Sequence, residues 1–370
     1  MLTWLEINTA AIEHNIRQIK KFIGKNVLLM PVIKANAYGH GFLTIARICQ
    51  KNPNVDRICI VSLDEALELI KNKLTKKPII ILSFFDQEKD KLLLAAKNNI
   101  IFPLYNLQDA ALLNRVGESI HKKIKVHIKI DTGTSRLGVL PKNIVHFIEQ
   151  IKKFNYIEIE GLWSHFSSSE ESYKITKTQH NILKTVEKTV KNKGFHIPII
   201  HIACSAAIFN HPFTHENAVR LGLSLYGLYA NKNKRIALKP SLSWFTKIIH
   251  IQQVSAGTTI GYGTSYTTKK PTTVATLPVG YSDGLDRRLS NKGYVLIRGQ
   301  KCPILGRICM NMCMVDITGI PAQIHDTVTL IGKNKKKTIS AEDMATWSNT
   351  INYEIVARIN PLLPRVSKKL

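Results

Sequence analysis

Short apolar runs alternate with amphipathic stretches from the start of the chain to Ala230. A brief strand pattern at 4–8 leads into a helical one through Ile12, Ile16, Ile19 and Phe22. Branched or bulky residues then fill 27–33, 57–61, 78–82, 100–104, 124–130, 157–163, 199–203 and 218–221, as expected of strands buried on both faces. Helical periodicity separates them at 43–49, 63–70, 89–97, 107–116, 143–152 and 175–191, with a short turn after Ala206. Repeated βα units imply a parallel sheet covered by helices, and about eight of them in roughly 200 residues fit a closed (β/α)8 barrel of the TIM type. An open doubly wound sheet is the alternative, although no Gly-x-Gly-x-x-Gly follows the first strand.

Beyond Ala230 the rhythm changes. The polar stretch 231–235 precedes short strand patterns at 244–254, 272–278, 294–297, 301–305, 312–317 and 327–331, with one late helix at 341–347. Glycines punctuate these strands, as in a mostly antiparallel β domain. The expected fold class is therefore α/β, with a barrel over 1–235 followed by a β-rich C-terminal domain over 236–370. The first strand, about 1–8, is free to pack with the latter.

A length of 370 residues suits two domains better than one core, and an apolar fraction of 44% is ordinary for a globular protein. No apolar run is long enough to span a bilayer, and the first six residues resemble no signal peptide, so a cytoplasmic location without membrane association is expected. The six cysteines, Cys49, Cys59, Cys204, Cys302, Cys309 and Cys313, contain no C-x-x-C pair. Cys309 and Cys313 lack a compact second His/Cys pair, so free thiols are expected and no metal. The net charge of +26 comes from lysines spread over the predicted surface helices and loops. The densest basic runs are short and lack interleaved aromatics, which argues against nucleic acid as a partner.

Against this frame one lysine stands out. Lys34 ends the first apolar run, where burial disfavours its charge and favours a neutral amine able to attack carbonyls. A lysine snorkelling to water would look the same when taken alone. In a barrel, however, functional residues belong at the C-terminal strand ends. Lys34, Lys129, Asp131, Arg136, His165, Ser205 and Arg220 all fall at or just beyond such ends. Each has a plain explanation singly (a core histidine, a helix-side salt bridge, an N-cap), but independent accidents would scatter over both ends. The loops after the seventh and eighth strands, Cys204-Ser205-Ala206-Ala207 and Arg220-Leu221-Gly222-Leu223-Ser224, offer a hydroxyl and amides flanked by small residues, a composition suited to a phosphate.

The run Val32-Ile33-Lys34-Ala35-Asn36-Ala37-Tyr38-Gly39-His40-Gly41 resembles the cofactor-lysine motif of the alanine racemase family, whose members use pyridoxal 5'-phosphate (PLP). The resemblance continues through Ile130-Asp131-Thr132-Gly133, Arg136-Leu137-Gly138, Glu160-Gly161-Leu162-Trp163-Ser164-His165-Phe166 and Val219-Arg220-Leu221-Gly222, and covers nearly the whole chain. It implies Lys34 as the Schiff-base lysine, Arg136 on the cofactor's phenolic oxygen, His165 near the pyridine ring and Arg220 facing the pyridine nitrogen. It also implies Tyr38, Ser205, Gly222, Leu223 and Tyr353 as phosphate contacts, and Lys129 as the lysine that is often carbamylated. In the second domain, Ile260-Gly261-Tyr262-Gly263 resembles the segment whose tyrosine enters the other subunit's site. Tyr281, Arg287 and Arg307 match a substrate corridor, and Met310, with Arg136, matches a substrate-carboxylate contact. Two positions depart from the family pattern: Cys204 where asparagine is usual, and Asn311 where aspartate is usual.

The resemblance thus implies interconversion of L-alanine and D-alanine in a homodimer with shared active sites. Lys34 and Tyr262 would exchange the Cα proton on opposite faces, and the D-alanine would supply peptidoglycan. An arginine rather than a carboxylate at the pyridine nitrogen sets this expectation apart from barrel-containing PLP decarboxylases. A racemase of broader specificity and a non-catalytic PLP-binding barrel are the alternatives.

Overall fold

The computed structural model describes residues 1–231 and 235–369, so part of the predicted 231–235 linker and the last residue of the predicted second domain lie outside the described residues. The chain divides into two compact units by contact. One comprises 12–34 and 42–239; the other gathers 1–11, 35–41 and 240–370. The first strand, as the sequence allows, and the heptapeptide after Lys34 both belong to the unit that holds the C-terminal segment.

The first strand, β1 (Trp4–Asn8), alternates buried and half-buried positions, with Leu5 and Ile7 inward. Eight parallel strands follow in the other unit: β2 (Leu28–Pro31), β3 (Ile58–Ile60), β4 (Ile79–Ile81), β5 (Ile100–Leu104), β6 (Ile124–Lys129), β7 (Ile157–Trp163), β8 (Ile199–His201) and β9 (Ala218–Leu221). Their order is β2-β9-β8-β7-β6-β5-β4-β3, and a parallel bridge from Val32 to Cys59 closes the ring. Every residue of β3, β4 and β5 is buried, as the unbroken apolar runs predict. Each such isoleucine is worth about 1.5–3 kcal/mol of burial. Between strands lie amphipathic helices, such as Phe42–Lys51, Leu63–Lys71 and Tyr173–Asn192. Ser62 and Ser172 cap the second and third of these by accepting the Glu65 and Ile175 amides.

The other unit carries β10 (Leu242–Lys247), β11 (His250–Val254), β12 (Thr272–Leu277), β13 (Tyr294–Ile297), β14 (Gln300–Leu305), β15 (Cys313–Asp316), β16 (Thr327–Asn334), β17 (Lys337–Ile339) and β18 (Arg365–Lys368). With β1 they form a ten-stranded sheet that is antiparallel except for the β1–β18 pair. The single strand predicted over 244–254 is two strands. At Ile248 and Ile249 the backbone changes partners, from β16 on one side to β12 on the other. Two helices close this unit, Ala341–Ser348 and Asn352–Ala357, of which only the first is predicted. No helix among the described residues is long and apolar enough to cross a membrane.

Candidate active site

Lys34 lies just past β2, Lys129 ends β6, Arg136 lies on the loop after it, and His165 lies two residues past β7. Ser205 opens the helix after β8, Arg220 lies in β9, and Gly222 and Leu223 follow it. All eight sit at the same end of the barrel. Burial is the largest influence on Lys34, holding its amine below the ordinary lysine range; Arg136 and Arg220 push the same way and Glu65 opposes them. Lys129 is lowered to about 8, first by burial and then by Arg136 and Arg220. Its ammonium lies 4.6 Å from the centroid of the Trp163 ring, with the Arg220 guanidinium 4.8 Å from the same ring. Asp131 shapes the mouth, its Oδ1 accepting the amides of Gly133, Thr134 and Ser135. Those bonds outweigh burial and hold its carboxyl below the usual range.

Arg220 is fixed from several sides. Nη2 donates to the Ser164 and Ile202 carbonyls at 2.8 and 3.0 Å and to Nδ1 of His165 at 3.0 Å. Because a guanidinium has donors only, His165 must accept at Nδ1 and carry its proton on Nε2. Burial, then the Arg220 and Arg136 charges, hold His165 well below its ordinary range, so it is neutral at pH 7.

On its other side Arg220 begins a buried chain that sequence reasoning missed. Nη1 donates to Nδ1 of His201 at 2.6 Å, His201 Nε2 meets His127 Nδ1 at 2.9 Å, and His127 Nε2 meets Glu160 Oε2 at 3.0 Å. Arg57 and Lys125 also hold the Glu160 carboxylate, at 2.8 and 2.9 Å. With arginine at one end and carboxylate at the other, every proton in the chain points towards Glu160. A register shift supplies the acid. Val126 pairs with Ile159 and His127 with Gly161, leaving Glu160 as the extra residue of a bulge in β7. Gly161 is required there, since a Cβ would come within 2.5 Å of the His127 ring. The sequence holds three polar residues here, His127, Glu160 and His201, within strands marked by their apolar pattern, but nothing in chain order shows that they meet.

Across the barrel mouth, Ser205 Oγ accepts the Gly222 and Ser224 amides at 3.0 and 3.3 Å, joining the two loops expected to hold phosphate. Small side chains, a hydroxyl, four basic side chains and an amine biased towards neutrality form a donor set that fits a phosphorylated aldehyde such as PLP.

The remaining predicted residues belong to the other unit. Tyr38 lies in the heptapeptide after Lys34. Ala35, Asn36, Ala37 and Tyr38 all have φ near +52°, making a left-handed turn of non-glycine residues that costs about 1–2 kcal/mol at each position. The Tyr38 and Tyr353 rings are 6.3 Å apart. Tyr262 is 69% exposed in a tight turn, and the Arg307 guanidinium lies against its neighbour Gly263. Tyr281 donates its amide to the Cys309 carbonyl and Ser282 to that of Met310, so Tyr281 and the exposed Met310 are neighbours. Arg287 opens the turn whose Ser290 hydroxyl holds the Ile308 amide. Asn311 Nδ2 donates to Ser282 Oγ at 2.9 Å, fixing that departure within the same loops.

Comparison with known proteins identifies the family. Residues 7–230 match the family description "Alanine racemase, N-terminal domain" and 241–367 match "Alanine racemase, C-terminal domain". An alanine racemase of Methanococcus maripaludis is 39% identical over 369 residues, 98% of each chain. One from Halothermothrix orenii is 40% identical over 370 residues, 99% of this chain and 97% of the other. Among solved structures, alanine racemase from Clostridium difficile 630 superposes with a TM-score of 0.92 at 35% identity, covering 100% of this chain and 96% of that one. Alanine racemase from Bartonella henselae, solved with covalently bound pyridoxal phosphate, gives 0.88 at 28% identity with both chains fully covered.

Proposed function

Given that the chain belongs to the alanine racemase family and is an isomerase of that class, we propose that it interconverts L-alanine and D-alanine with two bases, Lys34 and Tyr262 from a second copy of the chain. PLP, when bound, supplies the electron sink that makes an amino acid's Cα proton removable. Lys34 would hold it, with Tyr38, Arg136, His165, Ser205, Arg220, Gly222, Leu223 and Tyr353 around it. The Bartonella relative's covalently bound pyridoxal phosphate supports this cofactor.

The carrying observation is the pairing of a desolvated Lys34 amine with a donor-only Arg220 at one barrel mouth. An amine biased towards its neutral form takes up a proton from Cα and returns it. Arg220 keeps its charge at any working pH, so towards the pyridine nitrogen of a bound cofactor it would act as donor and disfavour protonation there. His165, neutral with its proton on Nε2, offers a hydrogen-bond donor at that nitrogen. A phenol receiving that bond is stabilised as phenolate, which is what Tyr262 needs to act as the opposing base. Arg136 and Met310 would meet the substrate carboxylate, with Tyr281, Arg287 and Arg307 lining the approach.

Lys129, near pH 8 half neutral and beside Arg136, has the chemistry for carbamylation, which would turn a repelling cation into an anion. The same reading makes the enzyme a cytoplasmic homodimer whose D-alanine serves peptidoglycan. Its test is an assay of D-alanine formation from L-alanine, alongside a panel of other amino acids chosen because Asn311 alters the carboxylate loops. Borohydride reduction and peptide mapping accompany it. A labelled peptide containing Lys34, and loss of label and turnover in Lys34→Ala, are expected; a label elsewhere refutes the assignment. Activity that persists undiminished in a monomer refutes the shared site.

A further inference from the structure

The left-handed residues 35–38 include no glycine to ease them, so contacts from beyond these four residues must hold them. Three converge. Arg365 Nε donates to the Gly39 carbonyl at 2.8 Å. The same guanidinium reaches the carbonyls of Ile359, Asn360, Pro361 and Leu363, so one planar fork ties the closing loop to the turn. Buried His40 faces the Tyr38 and Ala37 carbonyls with Nδ1 at 2.8 and 3.2 Å; since carbonyls only accept, Nδ1 carries the proton. Gly39 seats the turn so closely against the helix Asn352–Ala357 that a Cβ would lie 1.9 Å from the Val356 carbonyl oxygen.

We propose that Arg365 is a positioning residue for Lys34: by gripping the Gly39 carbonyl it keeps residues 35–38 in their left-handed conformation and so fixes the backbone from which the Lys34 side chain departs. Arg365 touches neither substrate nor cofactor in this account. The specific requirement is a fork with several donors in one plane; a point charge at the same place does not supply it. The kinetic part rests on Lys34 as the cofactor lysine, whereas the structural part does not.

The test is hydrogen–deuterium exchange of the cofactor-free protein, followed by kinetics of the loaded enzyme, for Arg365→Met and Arg365→Lys. The amides of Gly39, His40 and Gly41, bonded within the turn to Ala35, Ala37 and Asn36, should exchange at least about ten-fold faster in both variants, while the barrel strands keep their protection. With PLP bound, kcat should fall on the order of ten- to a hundred-fold with KM little changed, because the amine is misplaced while the substrate contacts remain. Faster exchange confined to 359–368, or full rescue by lysine, overturns the proposal. If neither variant folds, native-state exchange of the unaltered protein in low denaturant decides. The 39–41 amides must then open together with those of Leu363 and β18, and opening at a lower denaturant concentration overturns it. Faster exchange at 39–41 with unchanged kcat would overturn the positioning of Lys34 by Arg365, whereas failure of the Lys34 label would overturn the lysine assignment on which the kinetic part rests.

Discussion

The guanidinium of Arg220 donates to Nδ1 of His201 at 2.6 Å, and that one bond sets the tautomer of the next two imidazoles. His201 is thereby obliged to donate to His127, and His127 to Glu160, so the acid at the β7 bulge is the counter-ion of an arginine it does not touch. Burial is the first cause holding His201 well below its ordinary range, with Arg220 second, so the relay carries polarisation without itself becoming charged.

Glu160→Gln should disturb this chain more than its modest change in shape suggests. The amide can donate as well as accept, the direction of the imidazole protons is no longer fixed, and Arg57 is left without its ion partner. Loss of one partner from a buried pair costs about 3–5 kcal/mol. Denaturant unfolding should show a loss of that order, and 15N spectra should show mixed tautomers at His127 and His201. Unchanged imidazole resonances would refute the relay.

Acid should reveal the same residue. Burial raises the Glu160 carboxyl, but His127, Lys125 and Arg57 outweigh it and bring it to about 2 from 4.5. The folded state then binds fewer protons than the unfolded state between these values. Its stabilisation is complete above pH 4.5 and is lost as pH falls towards 2, with a size of roughly 3 kcal/mol. Stability measured against pH should show this decline in the parent protein and a shallower one in Glu160→Gln.

Two glycine replacements separate strain from collision. Gly39 and Gly194 share a positive φ, +81° and +78°, but a Cβ at Gly194 meets nothing within 4 Å while one at Gly39 meets the Val356 carbonyl oxygen. Gly194→Ala should cost about 1 kcal/mol from conformation alone. Gly39→Ala should cost at least about 3 kcal/mol or prevent folding. Chemical denaturation of the pair decides, and equal losses would contradict the close seating of the turn.

Thiol chemistry should divide the six free cysteines. Cys49, Cys59, Cys302 and Cys313 are buried, and that burial pushes each up to about 12. Cys204 and Cys309 are half-buried. Alkylation at pH 8 under native conditions should therefore label two sites quickly and four only on unfolding. Mass spectrometry of the peptides reads the result directly.

What could be read in advance follows from where the polar residues lie. β5 is an unbroken apolar run, β9 is one apart from Arg220, and both fall on their predicted ranges. β17 and β18 are short and largely exposed, so no alternation marks them, and the break between β10 and β11 is hidden because Ile248 and Ile249 continue an apolar pattern through it. At the barrel mouth, Lys34, Lys129, Arg136, His165, Ser205 and Arg220 were legible because chain order alone places strand ends together. His127, Glu160 and His201 were not, because they face inward within strands and only a bulge brings the acid into line. The turn at 35–38 was illegible for another reason: Ala-Asn-Ala-Tyr prefers no left-handed form, and its conformation is imposed by residues more than three hundred positions away.

That distance in sequence has a consequence for synthesis. During translation the barrel's strands emerge in order, and β9 is complete well before Arg365 leaves the ribosome. Until then the Gly39 carbonyl lacks its partner and the segment beside Lys34 lacks the bond from Arg365. A nascent chain that has not yet released Arg365 can thus possess every strand of the barrel while the turn beside Lys34 lacks its clamp.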